Sequence, residues 1–226
     1  MNMNTNQTII EEIAEKTLKS NTSILGIVCR DGIVMAGDRR VTAGGRIVMK
    51  KDEQKVQQIN DYLVSSWTGG AADAFLSAKI IAAELRLKEL RTKSRPATRE
   101  AAHFIGTMLY RNIRIPSMVP YIVGILVGGL NEDGSYELYS IEPAGGVSKV
   151  EDFDANFSSG MPYILGLLER QYRKDVSVKE AIELSKEAIK AAIERDPGSG
   201  NGIDVFTITK EGIKHAVAEK VLPQYR

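Results

Sequence analysis

Four times along this chain the apolar residues change their spacing, and the changes divide it into blocks. From Ser23 to Ser66, β-branched and apolar residues come in short runs broken by Gly and Asp. Ile24–Cys29, Ile33–Ala36, Ile47–Met49, Lys55–Ile59 and Tyr62–Ser66 read as strands. Asp31-Gly32 between the first two runs is a hairpin signal, and Ala43-Gly44-Gly45 breaks the chain again. From Ala71 to Lys93 the spacing becomes helical, with Phe75, Ile80, Leu85 and Leu87 set among Ala, Glu, Arg and Lys. Pro96 separates a second helix, Thr98 to Asn112, and Pro116 and Pro120 close the block. Tyr121–Val127 and Tyr136–Ile141 then flank an Asn131-Glu132-Asp133-Gly134 turn, and a further strand is expected over Ser148–Ala155. Helices return at Pro162–Tyr172 and Val178–Glu194. The second has Ser177 as N-cap and Glu180 three residues on. Ile203–Ile208 and Ile213–Ala216 form a last hairpin around Lys210-Glu211-Gly212. Segregated runs of this kind argue an α+β fold and not alternating βαβ units. Because the helices come in pairs, two helical layers covering a double antiparallel sheet is the economical arrangement.

The start of the chain is different. Met1 to Gln7 is polar, and Thr8-Ile9-Ile10-Glu11 reads as a capping box for a short amphipathic helix with Ile13 and Leu18. Glu11, Glu12 and Glu15 interrupt the apolar core that a secretory signal would need. A short helical leader or a disordered tail, and a cytoplasmic location, are therefore expected. No run of 18 apolar residues occurs, so no spanning helix is expected. The 30 basic and 29 acidic side chains give a net charge of +1, which offers neither nucleic acid nor a membrane a basic surface.

The chemistry is narrowed by what is scarce. Cys29 is the sole cysteine, which excludes an internal disulfide and a cysteine-based zinc site. His103 lies among apolar residues of a helix and His215 in the last strand, both settings for structural histidines. Cys29, in a strand with Ile27 and Val28, reads as a packed thiol. Gly128-Gly129 and Gly145-Gly146 lack the spacing of a phosphate loop. The Arg86–Arg95 stretch, interleaved with Glu84, Glu89 and leucines, reads as a solvated helix face. No metal and no cofactor are expected.

The most informative segment runs from Thr22 to Thr42: Thr-Ser-Ile-Leu-Gly-Ile-Val-Cys-Arg-Asp-Gly-Ile-Val-Met-Ala-Gly-Asp-Arg-Arg-Val-Thr. It resembles the start of a mature proteasome β-subunit, the N-terminal-threonine peptidase of the 20S core particle, most closely of archaeal type. The resemblance continues in order through Gln54-Lys55-Val56, Trp67-Thr68-Gly69-Gly70, Asp73, Pro120-Tyr121, Val127-Gly128-Gly129 and Pro143-Ala144-Gly145-Gly146. It closes with Ser158-Ser159-Gly160, Arg195-Asp196, Ser199-Gly200 and Ile203-Asp204-Val205. It implies the four-layer αββα N-terminal-nucleophile hydrolase fold, two stacked antiparallel sheets between helix pairs. It also implies a zymogen that cuts itself between Asn21 and Thr22, with a leader over 1–21 and a single domain over 22–226. The implied catalytic set is Thr22, Asp38, Lys55, Gly69, Ser159, Asp196 and Ser199, and the implied substrate-pocket residues are Val41, Glu53, Trp67 and Ala71. The implied partners are proteasome α-type subunits, other β-type subunits in seven-membered rings, a regulatory ATPase acting indirectly, and unfolded polypeptide substrates.

Those residue types make chemical sense together. A threonine hydroxyl is a weak nucleophile without a base. Cleavage before Thr22 would free an α-amine with an ordinary pKa of about 7.7–8.0, able to take the hydroxyl proton directly or through one water. No histidine is then required. A Lys55 ammonium nearby keeps that amine neutral, Asp38 serves as its counter-ion, and the Gly69 N–H faces the developing oxyanion. Asp196, Ser159 and Ser199 orient the amine. Taken without the resemblance, Lys55 reads as a surface lysine, Asp38 as a turn aspartate and Asp196-Pro197-Gly198-Ser199-Gly200 as a turn.

The family pattern has glycine before the cut and two or three threonines after it, whereas this chain has Asn21-Thr22-Ser23. Counting only the backbone, the Cβ of Asn21 costs about 1 kcal/mol in a left-handed conformation. The cut is accordingly expected to be slow and Asn21→Gly to speed it. The junction also leaves a rival reading, a non-catalytic ring subunit that keeps its leader. A second rival, the bacterial two-ring threonine peptidase, is shorter from Thr22 onward than this chain.

Overall fold

The computed structural model describes residues 21–45 and 47–221. The leader helix expected around Thr8–Leu18 lies outside the described residues. The described chain opens with strands β1 (Ile24–Cys29) and β2 (Gly32–Asp38), followed by β3 (Val41–Ala43), β4 (Ile47–Lys50), β5 (Val56–Gln58) and β6 (Leu63–Gly69). Helices α1 (Ala71–Thr92) and α2 (Thr98–Ile113) follow. Then come β7 (Val123–Leu130), β8 (Tyr136–Ile141), β9 (Val147–Val150) and β10 (Phe153–Asp154). Helices α3 (Met161–Gln171) and α4 (Val178–Ile193) precede β11 (Gly202–Thr209) and β12 (Gly212–Lys220).

Two five-stranded sheets carry the fold, one in the order β10-β1-β2-β11-β12 and the other β5-β6-β7-β8-β9. Neighbouring strands in both are antiparallel. Three apolar clusters define four layers. Leu25, Ile27, Val34 and Ala36 of the first sheet pack with Ile164 and Leu168 of α3 and Ala181, Ala188 and Ile189 of α4. Leu63, Trp67, Ile125 and Val127 of the second sheet pack with Ile81 and Leu85 of α1 and Ile105 and Leu109 of α2. Between the sheets lie Ile24, Ile33, Met35, Val64, Leu126 and Leu138.

This sandwich explains the sequence pattern. Strands buried on both faces lose the apolar–polar alternation of a half-solvated sheet, so β1 and β2 read as unbroken apolar runs. Each fully buried Ile or Leu contributes about 1.5–3 kcal/mol, and Ile24, Leu25, Ile27 and Ile33 are all fully buried. The sheets approach closely at Gly26, where a Cβ would stand 2.8 Å from the Leu138 side chain. Helix α4 starts at the expected box: Glu180 N–H donates to Ser177 Oγ and Ser177 N–H to Glu180 Oε2 at 2.9 Å, a cap worth about 1 kcal/mol. Its buried face, Val178, Ala181, Leu184, Ser185, Ala188, Ile189 and Ala192, has helical spacing. A charge at Ala188 would break that layer.

Two local readings change. The single strand expected over Ser148–Ala155 is two strands in different sheets: β9 pairs with β8, and β10 pairs with β1. The bend at Glu151-Asp152 carries the chain from one layer to the other, and Val28 N–H donates to Asp152 O at 2.7 Å there. Nothing local marks the crossing, because only Glu151 and Asp152, and no Gly or Pro, separate Val150 in the cluster between the sheets from Phe153 in the cluster under α3 and α4. The second change is β3–β4, a separate antiparallel hairpin in which Val41 pairs with Lys50 and Ala43 with Ile47.

Candidate active site

One end of the sandwich gathers the residues that the sequence singled out. Thr22 and Ser23 lead into β1, Asp38 ends β2, Lys55 precedes β5 and Gly69 ends β6. Ser159 sits in the loop between β10 and α3. Asp196 and Ser199 sit in the loop between α4 and β11. Hydrogen bonds to side chains join seven of these residues, Ser23 linking the two halves, into one buried network, and Gly69 shares a pocket with Thr22 and Lys55.

Asp38 is the hub of one half. Its Oδ1 accepts from Lys55 Nζ at 2.7 Å and from Ser23 N–H at 2.8 Å. Its Oδ2 accepts from the N–H groups of Arg40 and Gly200, both at 2.9 Å. Burial pushes the Lys55 ammonium below its ordinary pKa, and the facing Asp38 carboxylate opposes that shift. Lys55 Nζ also lies 3.5 Å from the carbonyl oxygen of Asn21, the residue before Thr22.

Asp196 is the hub of the other half. Its Oδ2 accepts from Ser159 Oγ and Ser199 Oγ, each at 2.6 Å. Its Oδ1 accepts from Gly198 N–H at 3.1 Å and from Asn21 Nδ2 at 3.0 Å. Burial alone would raise its pKa; the hydrogen bonds from Ser159, Ser199, Gly198 and Asn21 outweigh it and hold the carboxyl below the ordinary range. A hydroxyl has one proton to give. Ser199 gives its own to Asp196, so at the 2.7 Å Ser23–Ser199 contact Ser23 is the donor. Ser159 likewise donates to Asp196 and accepts from Thr22 N–H at 2.8 Å. The Thr22 carbonyl accepts from Gly160 N–H at 3.1 Å.

A small pocket opens beside Thr22, with a cavity volume of about 30 Å³. Val41, Glu53, Trp67 and Ala71 all line it, together with Lys55 and Gly69. Trp67 of β6 is buried under α1 and α2 and its Nε1–H donates to Ser65 Oγ at 2.8 Å. Glu53 is held by Lys50 Nζ at 2.6 Å. Gly69 has φ +98°, and a Cβ there would meet the Ile122 carbonyl oxygen at 2.1 Å, so the position accepts glycine alone.

Sequence reasoning missed three contributors. Ser23 is fully buried and completes the Ser199 link. Arg40 straps the 196–201 loop through Pro197 O at 2.7 Å and Asn201 Oδ1 at 2.8 Å. Phe75 of α1 adds to the pocket wall. The adjacency of Ser23 to Thr22 and the doubled Arg39-Arg40 were the available signals. The histidines lie elsewhere. His103 is on the exposed face of α2, and His215 pairs with Asp204 Oδ1 at 2.8 Å. Among the described residues no group of His, Cys, Asp and Glu is arranged to hold a metal ion. No described helix is long and apolar enough to cross a membrane.

Chemically, the arrangement sets a hydroxyl-bearing residue between a buried cation and a hydrogen-bonded carboxylate, next to a pocket. Comparison with known proteins gives it a context. A family model described as "Proteasome subunit" matches residues 18–208. "Proteasome subunit beta" of Methanocaldococcus vulcanius is 33% identical over 205 residues, covering 91% of this chain and 89% of that protein. The protein of the same name from Nanoarchaeum equitans is 36% identical over 198 residues, covering 88% and 98%. That from Ferroglobus placidus is 35% identical over 209 residues, covering 92% and 96%. With the four-layer fold and a family match over most of its length, the chain belongs to the proteasome subunit family, among its β subunits.

Proposed function

We propose that this chain is a threonine-type endopeptidase subunit of a proteasome core particle, with Thr22 as nucleophile once the Asn21–Thr22 bond is cut. Membership of the family implies assembly with α and β subunits. The finer reading is a seven-membered β ring, stacked on α-type subunits in the cytoplasm and fed unfolded polypeptides with the help of a regulatory ATPase.

The observation that carries the proposal is the position of Lys55. Its Nζ contacts both Asp38 and the carbonyl oxygen of the bond before Thr22. A cation there stabilises negative charge developing on that oxygen as the Thr22 hydroxyl attacks. Before the cut there is no free amine to serve as base. A water takes the hydroxyl proton at this stage, while Lys55 stays charged beside Asp38. After the cut, the new Thr22 amine stays beside Ser159 Oγ, where the Asp196 carboxylate orients it, and it becomes the base for peptide substrates. The pocket lined by Val41, Glu53, Trp67 and Ala71 then receives the side chain before the scissile bond.

The test is to assemble the chain with α-type subunits and follow intact mass and peptide hydrolysis together. Loss of residues 1–21 with gain of hydrolysis, both abolished by Thr22→Ala, is the expected result. Peptide hydrolysis by an assembled Thr22→Ala particle would sink the mechanism. A precursor that assembles but stays uncut would establish the non-catalytic ring subunit instead.

A further inference from the structure

We infer that the side chain of Asn21 positions its own peptide bond with Thr22 for cleavage and occupies the Asp196 carboxylate until that bond is cut. The inference rests on the reading above, in which the Thr22 hydroxyl makes the cut.

Asn21 is fixed at three points. Its Nδ2 donates to Asp196 Oδ1 at 3.0 Å, its backbone N–H points to Thr42 Oγ1 at 3.4 Å, and its carbonyl oxygen meets Lys55 Nζ at 3.5 Å. The side chain also has a socket. A Cβ built at Gly198 would fall 1.7 Å from the Asn21 Cβ, and one built at Gly45 would fall 3.0 Å from Asn21 Oδ1. Gly198 therefore leaves the space that the Asn21 side chain fills. Glycine or alanine at 21 could donate no side-chain hydrogen bond to Asp196, and the direction of the scissile carbonyl would lose its anchor.

The cut itself is an acyl shift followed by hydrolysis. Thr22 Oγ1 bonds to the Asn21 carbonyl carbon, the carbon–nitrogen bond breaks, and the hydroxyl proton ends on the Thr22 nitrogen. Water then cleaves the ester, leaving a carboxylate on Asn21 and the hydroxyl on Thr22. Departure of the leader takes Asn21 Nδ2 from Asp196 Oδ1. A carboxylate oxygen is thus released beside the new amine, which already lies 2.8 Å from the Ser159 oxygen that Asp196 holds. Misplacing a reacting carbonyl by even 1 Å is worth about a hundredfold in rate, so anchoring of this kind shows in the cleavage rate. Including the side chain reverses the sign expected from the backbone alone: Asn21→Gly slows the cut.

The test is an intact-mass time course of leader removal in precursors assembled with α-type subunits. Asn21→Ala and Asn21→Gly are expected to be cut about tenfold or more slowly than the natural sequence. Asn21→Asp sets a second carboxylate against Asp196, with Lys55, Asp38 and Arg40 as the other charged groups around it. It should be slow at pH 7.5 and speed up relative to the natural sequence as the pH falls toward 5. A purely structural contact would show no such recovery. Gly198→Ala should also slow the cut, and adding Asn21→Gly should return the rate to that of Asn21→Gly alone. Cutting of Asn21→Ala at the natural rate overturns the inference, as does an Asn21→Asp precursor without the pH recovery. If the natural precursor is not cut, or Thr22→Ala is cut as fast, the failure lies in the proposed self-cleavage and takes this inference with it.

Discussion

The Lys55 ammonium and the Asp38 carboxylate meet at 2.7 Å with side chains only 7% and 0% exposed. The pair is unequal. Asp38 also accepts three backbone N–H groups, from Ser23, Arg40 and Gly200, whereas Lys55 has Asp38 as its one counter-ion among the described residues. Breaking a buried pair by removing one partner costs about 3–5 kcal/mol. Asp38→Ala should fall at the upper end of that range, because it strands a cation and three N–H donors together. Lys55→Met should cost less, because the carboxylate keeps its backbone donors. Both should abolish leader removal. Denaturant unfolding of the two purified precursors checks the order, and an equal or reversed loss would contradict the asymmetry.

Cys29 should be chemically silent. Burial, then the nearby Asp31 charge, push its thiol up to about 12. The reactive thiolate is therefore scarce at neutral pH. Alkylating reagents should leave the folded chain unlabelled and label it fully in denaturant, and Cys29→Ala should retain peptide hydrolysis. Rapid labelling of the native protein at pH 7.5 would show that the strand opens.

Acid should act through Asp196. Its folded pKa lies below the ordinary value, so its stabilisation is fully present above the unfolded pKa of about 3.9 and is lost as pH falls through the lower folded value. Asp196→Asn should reduce stability at pH 7 and flatten the loss on acidification below pH 4. Unfolding free energies of both forms between pH 7 and 3 make the comparison. Parallel curves would remove Asp196 from the acid response.

Much of this was legible in the sequence, for physical reasons. The four layers followed from paired helical periods alternating with strand runs, because a helix pair needs a sheet to cover. The site residues were legible only through ordered motifs. Nothing local marks Lys55 as buried, since Lys50, Lys51, Asp52 and Glu53 just before it read as solvated. Its burial comes from β5 docking at the sheet edge beside Asp38, a contact 17 residues away in the chain. The fit of Asn21 against Gly198 spans 177 residues and a loop whose turn chemistry looks ordinary, so no periodicity could reveal it. The β9–β10 crossing was hidden because no Gly or Pro stands between the two strands to mark the change of sheet.

Trp67 should set the size of the side chain accepted before the scissile bond. It lies in the apolar cluster under α1 and α2 and lines the pocket beside Thr22, so one indole both packs the core and walls the pocket. Its N–H is satisfied by Ser65, which fixes the ring in place. With the indole in its wall, the pocket suits a small or modest apolar group best. Among peptides carrying alanine, leucine, tyrosine or glutamate at that position, alanine and leucine should be cut fastest. Trp67→Met keeps apolar packing while removing the ring, and should raise the tyrosine-to-alanine ratio in kcat/KM by about tenfold, the scale of a few methylenes in an apolar pocket. It should also destabilise the chain by a few kcal/mol, about the cost of hollowing a core. The two effects separate in measurement, because the substrate ratio is internal to each enzyme and insensitive to the fraction folded. A natural enzyme that prefers tyrosine, or a Trp67→Met ratio that does not move, would remove Trp67 from the specificity of this site.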